Sequence, residues 1–186
     1  MKTRCAWVTE SPIYMEYHDN EWGVPIYDEQ LLFEFLILEG MQAGLTWLTV
    51  LKKRENYRVS FDHFDPNMIA TYDQRKFDDL MMNPGIIRNK LKIQAVIANA
   101  NAFLKTKDQL GDFSDYIWSF VDGKPIKNHW ENISQMPAKT AISDAMSKDL
   151  KKRGFKFIGS TICYAFMQAT GMVNDHTVDC FCYKGL

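Results

Sequence analysis

The sequence predicts an all-α protein. Apolar residues recur at helical spacing along most of the chain, alternating strand patterns are scarce, and helix-start and helix-stop residues bracket the periodic segments. In chain order, Asp28 is an N-cap for a helix over EQLLFEFLILEG that ends near Gly40. TWLTVLKKRENY reads as the next helix, with Trp47, Val50, Leu51 and Arg54 at i, i+3, i+4, i+7 spacing. Asp65-Pro66 is an N-cap followed by proline at the first helical position. DQRKFDDLMM is a short helix, and Pro84-Gly85 turns the chain into a long amphipathic one. Its expected stripe is Leu91, Ile93, Val96, Ile97, Ala100, Phe103 and Leu104. Asp144 to Lys152 is a shorter helix. IGSTICYAFMQATG is apolar nearly all round, which predicts a buried helix closed by Gly171. Val121 to Pro137 reads as irregular loop.

At 186 residues, without repeats or a linker rich in Pro, Gly or Ser, one compact unit or two lobes sharing a cleft is expected. No run of eighteen apolar residues exists, so a membrane span is excluded. The start, MKTRCAWVTESP, turns polar too early for a signal peptide, and a cytoplasmic protein follows. Its four cysteines are then free thiols or metal ligands rather than disulfides. The net charge of −1 does not advertise nucleic-acid binding, although Lys52, Lys53, Arg54 and Lys148, Lys151, Lys152, Arg153 form local basic clusters. Charge alone does not separate a DNA-facing surface from solvated helix faces.

The most informative local conflict is an acid in the wrong place. At about 100° per residue, Leu31, Leu32, Phe35 and Leu36 share one side of their helix, and Glu39 falls in the middle of that stripe, whereas Glu34 points elsewhere and needs no special role. Burying a carboxylate costs several kcal/mol unless a partner meets it. Trp47 follows within one loop, and Trp7, Tyr14, Tyr17 and Trp22 crowd around His18-Asp19-Asn20-Glu21. Each aromatic alone reads as core. Together with the misplaced acid they outline a pocket that stacks a flat ring, favours a cation and reads one polar edge.

Asn83 to Lys90 forms a tight turn whose backbone N–H groups, with Arg88 and Lys90 beside them, suit a phosphate; an ordinary helix–helix turn is the alternative. Cys5 precedes His18 by thirteen residues and His176 precedes Cys180 by four. Two cysteines and two histidines suit tetrahedral zinc, though neither spacing matches a zinc finger. Such an ion would staple the N-terminal aromatic segment to the C-terminus. Cys163 and Cys182, lacking a histidine partner, read as a buried thiol and a tail residue.

Through these residues the chain resembles the DNA-3-methyladenine glycosylase I family. The resemblance rests on Cys5-Ala6-Trp7, YHDNEWGVP from Tyr17, LEGMQAGLTWLTVLKKRENYR from Leu38, GIIRNKLKIQA from Gly85, WSFV from Trp118, and KKRGFKFIGSTICYAFMQATGMVNDH from Lys151. It implies a helix-hairpin-helix fold, a single unit over residues 1–186 of two intertwined helical lobes with the damaged base between them. It also implies that Glu39 recognises the base and that Trp7, Tyr14, Tyr17, Trp22 and Trp47 form its pocket. Cys5, His18, His176 and Cys180 would hold a structural zinc ion. The turn from Gly85 to Lys90 would hold the DNA backbone, with Gly44 and Leu45 filling the gap left by the flipped nucleotide. The chain departs from the family at Asn83-Pro84 and carries little of its pattern from Val121 to Lys139.

The implied activity is hydrolysis of the N-glycosidic bond of 3-methyladenine in double-stranded alkylated DNA by a monomer, releasing the free base. A methylated, cationic purine leaves as a neutral molecule, so no strong general acid is needed. No lysine is placed as a Schiff-base nucleophile, which predicts no strand cleavage. No catalytic aspartate is assigned. A non-catalytic module for DNA or modified bases, and a purely structural zinc protein, are the competing readings.

Overall fold

A computed structural model describes residues 2–184. Ten α-helices carry the described chain: α1 (Pro12–Asn20), α2 (Glu29–Gln42), α3 (Trp47–Leu51), α4 (Arg54–Ser60), α5 (Pro66–Ala70), α6 (Gln74–Met82), α7 (Lys90–Leu110), α8 (Phe113–Trp118), α9 (Ala141–Lys152) and α10 (Ser160–Ala169). Three short 3₁₀ turns and one small parallel pair, β1 (Ile126–Lys127) with β2 (Val173–Asn174), complete the regular structure of the described residues. The all-α class holds. No helix among the described residues is long and apolar enough to cross a membrane.

The centre of the fold is α2. Asp28 caps it by accepting from the Leu31 N–H, and every residue from Leu32 to Met41 is buried. α10, α7 and α3 all pack against it, while α5 and α6 pack on α7 and α9 packs on α10. The helix runs two residues past its expected end. Gly40 is therefore no stop signal; it is a gap where a side chain would meet Phe157 at 3.3 Å.

Other expectations are corrected. TWLTVLKKRENY is two helices rather than one, because the chain turns at Lys52-Lys53. The turn aims Arg54 inward at Glu34, with Nε–Oε1 at 2.7 Å, while Lys53 donates to the carbonyls of Pro84 and Gly85. Arg54 is thus buried and leaves the basic cluster. Glu34 is no idle surface acid either: it is buried and also accepts from Arg58. Leu91 is 65% exposed. It sits about 200° from Ile93 around the helix, so the two cannot share a face. α9 begins at Ala141, where Thr140 and Ser143 exchange capping hydrogen bonds.

The stretch from Val121 to Pro137 is more than loop. Besides β1 it holds a 3₁₀ turn at Ile133–Gln135, capped reciprocally by Asn132 and Gln135. Gly171 closes α10 at φ +70°, and a Cβ there would lie 2.3 Å from the Val24 and Pro25 backbone. Its bare backbone lets α10 dock on the segment after α1, where Gly23 and Ile26 donate to Gln168 and Thr170 carbonyls.

Candidate active site and metal-ligand cluster

The Glu39 carboxyl lies at one wall of a cavity lined by Trp7, Tyr14, Tyr17, Trp22 and Trp47, the five aromatics singled out from sequence. The cavity encloses about 170 Å³ and opens to solvent at its mouth. α1 supplies Tyr14 and Tyr17 one helical turn apart, α2 supplies Glu39, and Trp47 opens α3. The rings brace one another at inclined angles: Trp7 with Tyr14 and Trp22, each at 5.0 Å, and Tyr17 with Trp47 at 5.3 Å.

Only four buried side-chain N or O atoms among the described residues lack a hydrogen-bond partner, and three belong to residues that line this cavity: Trp7 Nε1, Trp47 Nε1 and Glu39 Oε2. Unsatisfied buried polar groups are rare because each forfeits its bond to water. Two indole N–H groups and one carboxyl oxygen thus lie shut off from water within the side chains that wall the pocket. Burial pushes the Glu39 carboxyl up to about 8, so in the empty pocket it holds its proton at neutral pH. A cationic guest reverses that preference. Burial also raises Tyr17 and Tyr14, with the nearby Glu39 charge acting in the same direction.

Sequence reasoning missed the rest of the lining. Gln42 comes from the end of α2, Ala165 and Gln168 from α10, and Ile133 and Met136 from the stretch expected to be loop. Gln168, a lone amide late in an otherwise apolar helix, was the one available signal.

A second cavity adjoins the first and shares Glu39, Gln42 and Ala165 with it, continuing along Ala43, Gly44 and Leu45 to Thr161. Gly44 takes φ +78° with open space around it, and Leu45 stands 41% exposed at the loop tip. Lys92 anchors this loop from α7, its Nζ donating to Met41 and Ala43 carbonyls at 2.8 and 2.7 Å. At the other turn, Arg88 and Lys90 are exposed. The Gly85 N–H is already taken by Asn83 Oδ1 at 2.8 Å and the Ile87 N–H by Tyr57 Oη at 3.1 Å, so neither is open to a phosphate. Gly85 instead serves close packing, since a Cβ would meet Asn83 and Asn56 at 3.0–3.3 Å.

Cys5, His18, His176 and Cys180 converge behind the aromatic wall with their ligand atoms within 4.8 Å of one another. Three sulfur–nitrogen separations are 3.5 Å: Cys5 to His176, and Cys180 to both histidines. Tetrahedral zinc with its usual bond lengths needs edges of about 3.5 Å. The far imidazole nitrogens are held as metal-ligating histidines require, His18 Nδ1 by Asp19 and His176 Nε2 by the Trp22 carbonyl. Arg4 grips Asp19 in turn through two 2.7 Å bonds. Burial lowers both histidines, keeping them neutral, and pushes Cys5 up to about 12 with no ion beside it. Four such groups therefore fit a divalent cation, which would supply the missing positive charge. Cys163 is buried as expected, whereas Cys182 is no bystander: its Sγ lies within 4.8 Å of the His18 and Asp19 ligand atoms.

An all-α scaffold with one aromatic-walled pocket, a buried acid and unpaired polar atoms defines a receptor for a single flat heteroaromatic ring. A family model described as methyladenine glycosylase matches residues 7–183. The chain belongs to that family. It is 54% identical over 182 residues to the DNA-3-methyladenine glycosylase 1 of Escherichia coli (strain K12), covering 98% of this chain and 97% of that protein. It is likewise 54% identical to the DNA-3-methyladenine glycosylase of Haemophilus influenzae (strain ATCC 51907 / DSM 11121 / KW20 / Rd), with 98% of each chain covered. Among solved structures it resembles a 3-methyladenine DNA glycosylase I from Staphylococcus aureus, described for its recognition of 3-methyladenine. That match has 39% identity and a TM-score of 0.93, covering 96% of this chain and 95% of the other.

Proposed function

We propose that this protein is a DNA-repair glycosylase that hydrolyses the N-glycosidic bond of 3-methyladenine in alkylated DNA. Relatives at 54% identity carry that activity in their names. The observation that carries the reading within the molecule is a buried acid, Glu39, in the wall of one cavity lined by five aromatic side chains. In this reading the damaged nucleotide leaves the duplex, at a cost of a few kcal/mol, and the base enters the pocket. Its positive charge meets the aromatic faces, each contact contributing about 0.5–2 kcal/mol, and favours the Glu39 carboxylate, whose proton leaves to solvent. The carboxylate then accepts from the amine edge.

As the C1′–N9 bond breaks, its electron pair stays with the base, which leaves neutral. The sugar becomes oxocarbenium-like, and the Glu39 carboxylate with the flanking phosphates stabilises it. Water attacks C1′ and loses a proton to solvent. No side-chain amine is required, so the enzyme is monofunctional and leaves the strand intact. Leu45, at the exposed tip beside the second cavity, fills the space vacated in double-stranded DNA, and Arg88 and Lys90 meet phosphates. Cys5, His18, His176 and Cys180 would hold a structural zinc ion, which would supply charge and cross-linking there. A monomer in the cytoplasm, where thiols stay reduced, suits the four unbonded cysteines.

The test is to incubate the protein with methylated duplex DNA and chromatograph the released bases. Release of 3-methyladenine with an intact strand is expected. Saturable binding without release would leave a binding module, and neither binding nor release would leave a structural protein.

A further inference from the structure

Asp175 is fully buried, and four donors converge on it. Its Oδ1 accepts from Asn128 Nδ2 at 2.7 Å and Trp130 Nε1 at 2.8 Å. Its Oδ2 accepts from the Tyr164 hydroxyl at 2.6 Å and from Gln168 Nε2 at 2.8 Å. A carboxylate receiving two bonds at each oxygen offers nothing to donate. It therefore dictates which way the Gln168 amide faces: the NH₂ toward Asp175, and the carbonyl oxygen away from it. The remaining NH₂ direction is occupied by Met136 Sδ at 3.0 Å. Oε1 makes no hydrogen bond to a described residue, and Gln168 lines the same cavity as Glu39.

We propose that Gln168 is a second reader of the base, its Oε1 presented by Asp175 as a fixed acceptor for the exocyclic amine. The inference rests on the glycosylase reading above and concerns which purine that site accepts. An adenine amine carries two N–H bonds, and the pocket then holds one acceptor for each, Glu39 and Gln168. Guanine places a carbonyl oxygen at the same position. There the Gln168 oxygen, which cannot donate, would meet another acceptor and lose its hydrogen bond, and a site built to bond a donor rejects a ligand lacking it strongly. Asp175 acts through Gln168 and is a positioning residue. It also ties the segment bearing Ile133 and Met136 to α10, so the pocket wall and the reader are set by one carboxylate.

The experiment measures single-turnover release of 3-methyladenine and 3-methylguanine from the same methylated duplex by wild type, Gln168→Met and Asp175→Asn. Methionine keeps the length of the side chain and leaves Asp175 three donors, so folding is expected to survive. Gln168→Asn withdraws the amide by one methylene and carries the same test should the methionine variant not fold. Gln168→Met is expected to slow 3-methyladenine release about tenfold or more while sparing 3-methylguanine, narrowing the ratio by the same factor. Asp175→Asn frees the amide to flip and is expected to narrow the ratio too, by less. If wild type releases 3-methyladenine and the Gln168 variants keep its selectivity, the role of Gln168 is overturned alone. If wild type releases neither base, the glycosylase reading itself is lost.

Discussion

Replacing Glu39 by glutamine should make the empty protein more stable, by an amount that grows with pH. The carboxyl titrates near 4.5 in the unfolded chain and at about 8 in the folded one, where burial opposes its charge. Between those values the folded state holds a proton that the unfolded state has released, so stability from this group is present at low pH and lost as pH rises to about 8. At about 1.4 kcal/mol per pH unit the loss approaches about 5 kcal/mol; water entering the open mouth of the cavity reduces it to about half. Glutamine has the same shape and does not titrate. The variant should therefore match wild type near pH 4 and exceed it by about 2–4 kcal/mol at pH 9, equivalent to about 5–15 °C in melting temperature. Thermal melts of both proteins from pH 4 to pH 9, with buffer and metal content matched, measure the difference, in which every other titrating group cancels. A melting-temperature gap that stays constant across the range would refute the claim that Glu39 is held neutral by burial.

The same variant should lose excision of 3-methyladenine; an unchanged single-turnover rate removes Glu39 from the chemistry. In wild type, kcat/KM on methylated DNA should rise with pH and level off near 8, because the cationic base must displace the Glu39 proton below that value. Cys5→Ala and His176→Ala should each lose one metal ion per chain by elemental analysis and melt several degrees lower, and full retention of metal would refute the ligand set. Leu45→Ala should slow excision from duplex DNA while leaving the affinity for free 3-methyladenine unchanged, as read by tryptophan fluorescence. Lys92→Met removes a charged donor from two carbonyls at the end of α2 and should cost about 1–3 kcal/mol in urea denaturation.

What sequence made legible was local. Asp28, Asp65 and Gly171 announce helix ends because a cap or a positive φ is settled within a few residues. Glu39 stood out because its neighbours on one helix face are apolar. The same reasoning misjudged Glu34, since it assumed a single buried stripe, whereas α2 is enclosed on all sides. An acid on its other face is buried too and needs Arg54 and Arg58, twenty and more residues away. The segment from Val121 to Pro137 was illegible for a related reason. Its order comes from pairing with Val173–Asn174 and from the bonds of Asn128 and Trp130 to Asp175, none of which leaves a local pattern. The partners of a buried polar group lie across the fold, so sequence can flag the group but not what satisfies it.

That distinction separates the two kinds of buried polar residue in this molecule. Glu34, Asp175 and Lys92 are matched by protein donors or acceptors and hold elements together. Glu39, Trp7 and Trp47 are left with unmatched atoms, and all three side chains line one cavity; Asn174 Nδ2, the fourth unmatched atom, lies elsewhere. An empty pocket of this kind destabilises the fold and persists only if its walls cannot collapse to hide those atoms. Two constraints prevent collapse. Trp7 and Trp22 lean edge-on against the histidine rings of the ligand cluster, Trp7 on His18 at 5.3 Å and Trp22 on His176 at 4.7 Å, so the buried cluster backs the inner wall, and an ion bound there would fix it. Asp175 fixes the opposite wall through Gln168 and the segment carrying Met136. His176 and Asp175 are consecutive in sequence. One short buried stretch after β2 thus braces both sides of the pocket, which is why loss of either should loosen base recognition before it unfolds the helices.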